Sequence, residues 1–342
     1  MKWKLWLNIV TFIALGLIIY FAWHDIALAF NKMRSLNLWV LSLMIPAQAF
    51  VFFALAKVFH HFFKAVNVPL SVKTLMPAMI ELNFVNHVFP SGGVSGISYL
   101  AVRLKRAGVS PAKSTLAQLV RYVLTFITFI SLLIVALFLL ALEDRASRLI
   151  IFIATALTFT ILFSTLGLVY TIGSKSRINS FTSGLARFLN KTIHFFRRSH
   201  PETIRLANVE KTFNELHDDY VLLRKDFGKM KRALGWAFIA NVAEVGLIYI
   251  AFVAHGAFIN PGALIVAYAV ATIAGMLAIL PGGLGVYEPL MAAVLLSAGV
   301  PKDLALSATL VSRVVAMVLS IGAGYYLYQQ TLKRYGTDNI NS

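Results

Sequence analysis

Two short strings, Pro90-Ser91-Gly92-Gly93 and Pro281-Gly282-Gly283-Leu284-Gly285, each interrupt a long apolar run. Pro has no N–H to continue an incoming helix, and Gly admits backbone angles closed to other residues, so each string predicts a tight turn between two helical arms. Such a turn frees backbone N–H groups at the start of the outgoing arm. Together with the helix dipole, those donors suit an anion. The competing reading is a purely structural kink. Neither string is a dinucleotide fingerprint or a P-loop, because no strand precedes it and no Gly-Lys-Ser/Thr follows.

The charged residues inside the apolar runs are few. Of the 14 acidic residues only Glu81, Glu244 and Glu288 fall there, opposite Arg121 and Arg313, with Asn83, Asn86, His87 and Asn241 nearby. Glu288 follows the second string by three residues, so it either caps the outgoing helix through the dipole or carries a proton or cation. Arginine grips phosphate in a planar, bidentate fork, which gives Arg121 and Arg313 a binding role. The alternative is that each snorkels to an interface as an anchor. Glu81, Asn83, Asn86, Asn241 and Glu244 are candidates for coupling or for structural polarity. The neighbours His60 and His61 lack metal-ligand spacing, and no His-Glu-x-x-His, Ser-His-Asp or paired-carboxylate set is present. No catalytic residue, metal or cofactor is therefore expected, and the chain is not expected to be an enzyme. The absence of cysteine excludes disulfides and thiolate metal sites.

The elements that position these residues follow from composition. Of 342 residues 59% are hydrophobic and 13% charged, and the apolar residues come in blocks long enough to cross a hydrocarbon layer. Lipid is the solvent this pattern implies. The excess of 31 Lys+Arg over 14 Asp+Glu, net +17, then reads as cytoplasmic loops under the positive-inside rule and not as a nucleic-acid surface. Spans are expected near 5–23, 37–56, 115–141, 149–171, 233–255 and 304–329. The first follows Lys2 and Lys4 but has no small-residue cleavage site, so it reads as a retained span.

The broken segments 74–107 and 262–298 are expected to be re-entrant. Basic loops at 57–73 and 99–114 flank the first, so it enters and leaves on the cytoplasmic face. The second enters from outside if the tail with Lys333 and Arg334 is to return inside. The basic loop 172–232, with thirteen Lys/Arg against six Asp/Glu, reads as a cytoplasmic helical loop, partly lying on the anionic inner leaflet. The fold expected is an all-α polytopic membrane protein of about six spanning helices plus two re-entrant helical hairpins, in one transmembrane domain with both termini cytoplasmic.

The two broken segments also resemble each other. Placing Pro90 on Pro281 aligns seven identities in twenty positions at a constant offset of 191, including Ala107-Gly108-Val109 with Ala298-Gly299-Val300. Leu119-Val120 matches Leu310-Val311, and Arg121 falls opposite Arg313 after one inserted residue. The expected orientations of the halves, 37–141 and 233–329, are opposite. Inverted repeats with broken helices suit a carrier that exposes one site alternately to each side. A channel or a membrane-embedded enzyme can be built the same way.

At these residues the chain resembles the flippase-like family that contains the transmembrane region of lysylphosphatidylglycerol synthase, the membrane half of the multiple peptide resistance factor. The resemblance rests on Pro281-Gly282-Gly283-Leu284-Gly285 with Tyr287 and Glu288, on Arg313, on the Asn-rich stretch Asn83 to Pro90, and on Arg121. It implies movement of an anionic phospholipid or polyprenyl-phosphate-type lipid between leaflets of a bacterial or archaeal cytoplasmic (inner) membrane. It further implies a place in the lipid headgroup cavity for Glu288, Arg121 and Arg313; the turn glycines Gly92, Gly93, Gly282, Gly283 and Gly285 and Tyr287 complete the candidate headgroup site. Val120 stands where many relatives carry an acid, which leaves the charge partner of Arg121 open. No aminoacyl-transferase half is seen before Ser342. Membrane lipids are the expected ligands, with a homodimer or an envelope-enzyme partner as further associations. The rival reading is a non-catalytic membrane partner of an envelope lipid or glycan enzyme, docking through 172–232.

Overall fold

In the computed structural model, residues 36–89, 94–105, 107–142, 148–174, 227–277 and 283–335 are described, with isolated positions elsewhere. The expected span at 5–23, the turn residues 90–93 and 281–282, and nearly all of the loop 175–226 lie outside them. The described residues form helices and no strand.

Helix α1 (Leu38–Ala65) opens under Asn37, whose side chain accepts from the N–H groups of Trp39 and Val40, satisfying donors that a helix start leaves free. It breaks once, at Leu43, because Pro46 has no N–H to give the carbonyl four residues back. The helix continues to Ala65 through Lys57 and Lys64, so the loop expected at 57–73 shortens to the turn after Ala65. Lys57 is tolerated there because its ammonium lies over two aromatic faces, 5.3 Å from the Phe53 centroid and 5.6 Å from that of Trp236.

The other helices are α2 (Val72–Val88), α3 (Val94–Lys105), α4 (Pro111–Leu142), α5 (Arg148–Ile172), α6 (Lys231–Ala254), α7 (Pro261–Leu277), α8 (Tyr287–Ser297) and α9 (Lys302–Tyr335). Among the described residues five stretches, Leu38–Ala65, Pro111–Leu142, Arg148–Gly167, Gly228–Ala254 and Lys302–Thr331, are long and apolar enough to cross a membrane. The remaining four helices run 17, 12, 17 and 11 residues, short of the roughly 20 residues that crossing a hydrocarbon layer takes. Each short helix lies beside one of the two Pro/Gly strings.

The packing places these elements. Helices α1 and α6 lie along each other, and the Asn37 N–H donates to the Ala254 carbonyl at 3.0 Å to tie their ends. α2 packs on α3 and α9; α7 packs on α8 and α4. Backbones come close where the side chain is absent: a Cβ at Gly262 would lie 2.5 Å from the Ala136 carbonyl oxygen, which brings α7 against α4. α5 covers α4 on the outside, and Phe138, Phe152 and Phe163 are each more than 60% exposed. Large exposed apolar side chains on the longest apolar helices are the surface that lipid requires.

Candidate functional site

The turn before α8 builds the first polar centre. Gly283 and Gly285 adopt φ of 72° and 76°, in the left-handed region that favours glycine. A Cβ at Gly283 would lie 2.8 Å from the Gly275 Cα, so the absence of a side chain lets this turn rest on α7. Glu288, in the first turn of α8, then folds back: its Oε2 accepts the Gly285 N–H at 2.9 Å. Its Oε1 accepts the Arg313 Nε–H at 3.2 Å. The guanidinium carbon lies 4.4 Å from the centroid of the Tyr287 ring. Glu288 is only 7% exposed, so the charge of the α8 carboxylate is met by the α9 guanidinium and by a backbone donor. A buried charge must be compensated in this way.

Other residues that stand out in the sequence find partners on neighbouring helices, and two of them, His87 and Glu244, lie within electrostatic reach of that centre. The charge of Arg313 reaches His87 of α2, whose Nδ1–H donates to the Asn83 carbonyl at 2.9 Å. Glu244 of α6 accepts from the Tyr268 hydroxyl of α7 and lies within electrostatic reach of Tyr287. Asn241, one turn earlier on α6, donates to the Thr128 hydroxyl of α4. The Oδ1 atoms of Asn83 and Asn86 are buried and have no hydrogen-bond partner among the described residues. Asn86 also presses on α3, since a Cβ at Gly96 would lie 2.1 Å from its Oδ1.

Arg121 stands apart. It sits on α4 beside the ring of Tyr122, 5.6 Å from its centroid, and no ion pair joins it to an acid among the described residues. It belongs to a stripe that the sequence reading missed, Ser114, Gln118, Arg121, Thr125 and Thr128, spaced four, three, four and three residues along one face of α4. Ser114 Oγ and Gln118 Oε1 are buried without partners among the described residues. The signal is present in the sequence as helical polar periodicity within an apolar run. Gly92, Gly93 and Gly282 lie outside the described residues.

A second polar centre surrounds Glu81, with partners that the sequence does not associate with it. Glu81 is 1% exposed; Oε2 accepts from the Tyr99 hydroxyl at 2.6 Å and from the Arg103 Nε–H at 2.8 Å, and Oε1 from the Thr331 hydroxyl at 2.8 Å. Arg103, expected in the basic loop 99–114, instead sits on α3 and turns inward.

Between the two centres lies an apolar cluster of Phe84, Val85, Val88, Met317 and Tyr328, joined by Phe89, Leu284 and Tyr325. It brings residues beside both Pro/Gly strings against one face of α9. The approach is close because a Cβ at Gly324 would lie 2.3 Å from that of Phe84.

Helices sized for a bilayer, lipid-ready outer faces and compensated charges within the bundle define a polytopic α-helical membrane protein. The family described as the lysylphosphatidylglycerol synthase transmembrane region matches residues 6–324, and the chain belongs to that family. It is 24% identical over 274 residues to a UPF0104 membrane protein of Methanothermobacter thermautotrophicus, covering 78% of each chain. It is 22% identical over 266 residues to a UPF0104 membrane protein of Pyrococcus horikoshii, covering 75% of this chain and 76% of that one.

Proposed function

We infer that this protein is a lipid translocase that carries the anionic headgroup of a phospholipid or polyprenyl-phosphate-type lipid between the leaflets of a cytoplasmic membrane, without an ATP site or catalytic chemistry of its own. The observation that carries this reading is the Glu288–Arg313 pair on the Tyr287 ring. It is a guanidinium paired to a buried acid beside a glycine turn, with its charge reaching His87 of α2. Arginine in that setting is suited to a phosphate, and Glu288 occupies it as a phosphate oxygen would. The buried Oδ1 atoms of Asn83 and Asn86 on α2, without partners among the described residues, are further acceptors that water or a hydroxyl of the headgroup can meet.

The carrier architecture proposed is the inverted repeat, with α2/α3 and α7/α8 as re-entrant hairpins and both termini cytoplasmic. Support comes from the packing. Exchanging α1–α4 for α6–α9 turns the α2–α9 packing into α7–α4, the α2–α3 packing into α7–α8 and the α3–α4 packing into α8–α9, while α1–α6 maps onto itself. Every one of those helix pairs packs together. Cysteine labelling tests the arrangement on a chain with no native Cys. Cysteines at Ser71 and Ser110 are expected to label only from the cytoplasmic side, and one at Gly256 only from outside. Opposite labelling of the first two would make 74–107 a span and remove the inverted repeat.

A further inference from the structure

We propose that the Glu81 centre is a second anion site, an interfacial station for the phosphate of the same lipid class, closed in this conformation by its own carboxylate. This inference rests on the translocase reading and extends it to a different set of residues. Three donors from two helices, the Tyr99 hydroxyl and Arg103 Nε–H of α3 and the Thr331 hydroxyl of α9, converge on the two oxygens of one carboxylate on a third. A phosphate ester presents the same chemistry, with oxygens that accept from a guanidinium and from hydroxyls. The Arg103 side chain is 14% exposed while Glu81 is 1% exposed, so the site is reached from the arginine side and stoppered from within by the acid.

Its location fits a station on the way in. Thr331 and Arg313 are both on α9 and 18 residues apart, which is about five helical turns and about 27 Å along one face of the helix. A hydrocarbon layer is about 30 Å thick, so the two centres cannot share the midplane. Arg103 lies two residues from the end of α3 and Thr331 four from the end of α9, which puts the Glu81 centre at the interfacial end. The cluster around Phe84 and Tyr328 separates it from Arg313. In this arrangement Arg103, and not Arg121, is the guanidinium that serves the leaflet opposite to the Arg313 turn.

The test is a binding titration on the full chain in dodecyl maltoside, read as the thermal midpoint against dihexanoyl phosphatidylglycerol, dihexanoyl phosphatidylcholine or sodium phosphate. Glu81→Gln removes the competing charge while keeping the side chain's size. It is expected to bind phosphatidylglycerol about tenfold more tightly than the native chain, the order of one additional charge-assisted hydrogen bond. Glu81→Gln/Arg103→Gln is expected to lose that gain, and Glu81→Gln added to the neutral pair Glu288→Gln/Arg313→Gln is expected to show it. Absence of a gain, a gain that survives without Arg103, or an equal response to phosphatidylcholine would overturn the proposal. An equal response to inorganic phosphate would overturn the lipid assignment. Should Glu81→Gln not fold, Glu81→Asp withdraws the carboxylate by one methylene, and a smaller gain in the same direction is expected; no gain there counts equally against it. If the Arg103-dependent gain holds while Glu288→Gln/Arg313→Gln leaves native binding unchanged, the translocase site at Glu288 fails and this one stands.

Discussion

The two halves of the molecule treat their arginines differently. At the second Pro/Gly string, Arg313 is matched to Glu288, stacked on Tyr287 and tied to the turn through the Gly285 N–H. At the equivalent position in the first half, Arg121 lies beside Tyr122 on a polar stripe, without an acid among the described residues. The first half places its buried ion pair elsewhere, between Glu81 and Arg103. The two aligned arginines thus stand in unequal electrostatic surroundings, one met by a buried acid and one not, among the described residues.

Five variants measure the difference through stability in detergent. Arg313→Ala leaves Glu288 buried without its cation and is expected to cost about 3 to 5 kcal/mol. The neutral pair Glu288→Gln/Arg313→Gln is expected to recover most of that. An equal loss in both would show that the charge match is not what holds α8 to α9. Gly324→Ala drives a methyl into Phe84 and is expected to cost about 1 to 3 kcal/mol by spreading α2 from α9; a neutral result would mean that this packing gives way easily. Asn241→Ala removes a single interhelical hydrogen bond to Thr128 and is expected to cost about 1 kcal/mol. Arg121→Ala breaks no ion pair among the described residues and is expected to fall within about 0.5 kcal/mol of the native chain. A cost for Arg121→Ala as large as that for Arg313→Ala would erase the contrast between the halves.

Much of the helical layout is legible from the sequence, because an apolar run of twenty residues has few other uses. The end of α1 is not. Lys57 and Lys64 read as loop residues, and only the folded chain brings Trp236 from α6 beside Phe53 to receive the Lys57 ammonium. Charges within the runs are legible as sites but not as pairs. Glu288 and Arg313 both stand out, yet aligning the two broken segments matches Arg313 with Arg121, while its chemical partner comes from the preceding helix. Arg103 reads as part of a basic loop because of its neighbours Lys105 and Arg106. Its inward turn depends on α3 folding back along α2, which pairs residues 22 apart in a way that no local spacing encodes. The stripe on α4 is readable at helical spacing, but its hydroxyls are uncharged and so draw no notice in an apolar run.

Leaflet exchange tests the central claim most directly. Proteoliposomes containing fluorescent phosphatidylglycerol are treated with dithionite, and the rate at which inner-leaflet label becomes accessible is compared for the native chain and for Glu288→Gln/Arg313→Gln, the variant that removes both charges with the least structural cost. The account predicts that the double variant, folded by its thermal midpoint, exchanges at least about tenfold more slowly than the native chain, as expected when a charge-assisted hydrogen bond to phosphate is lost. Exchange at the native rate by that variant would contradict it.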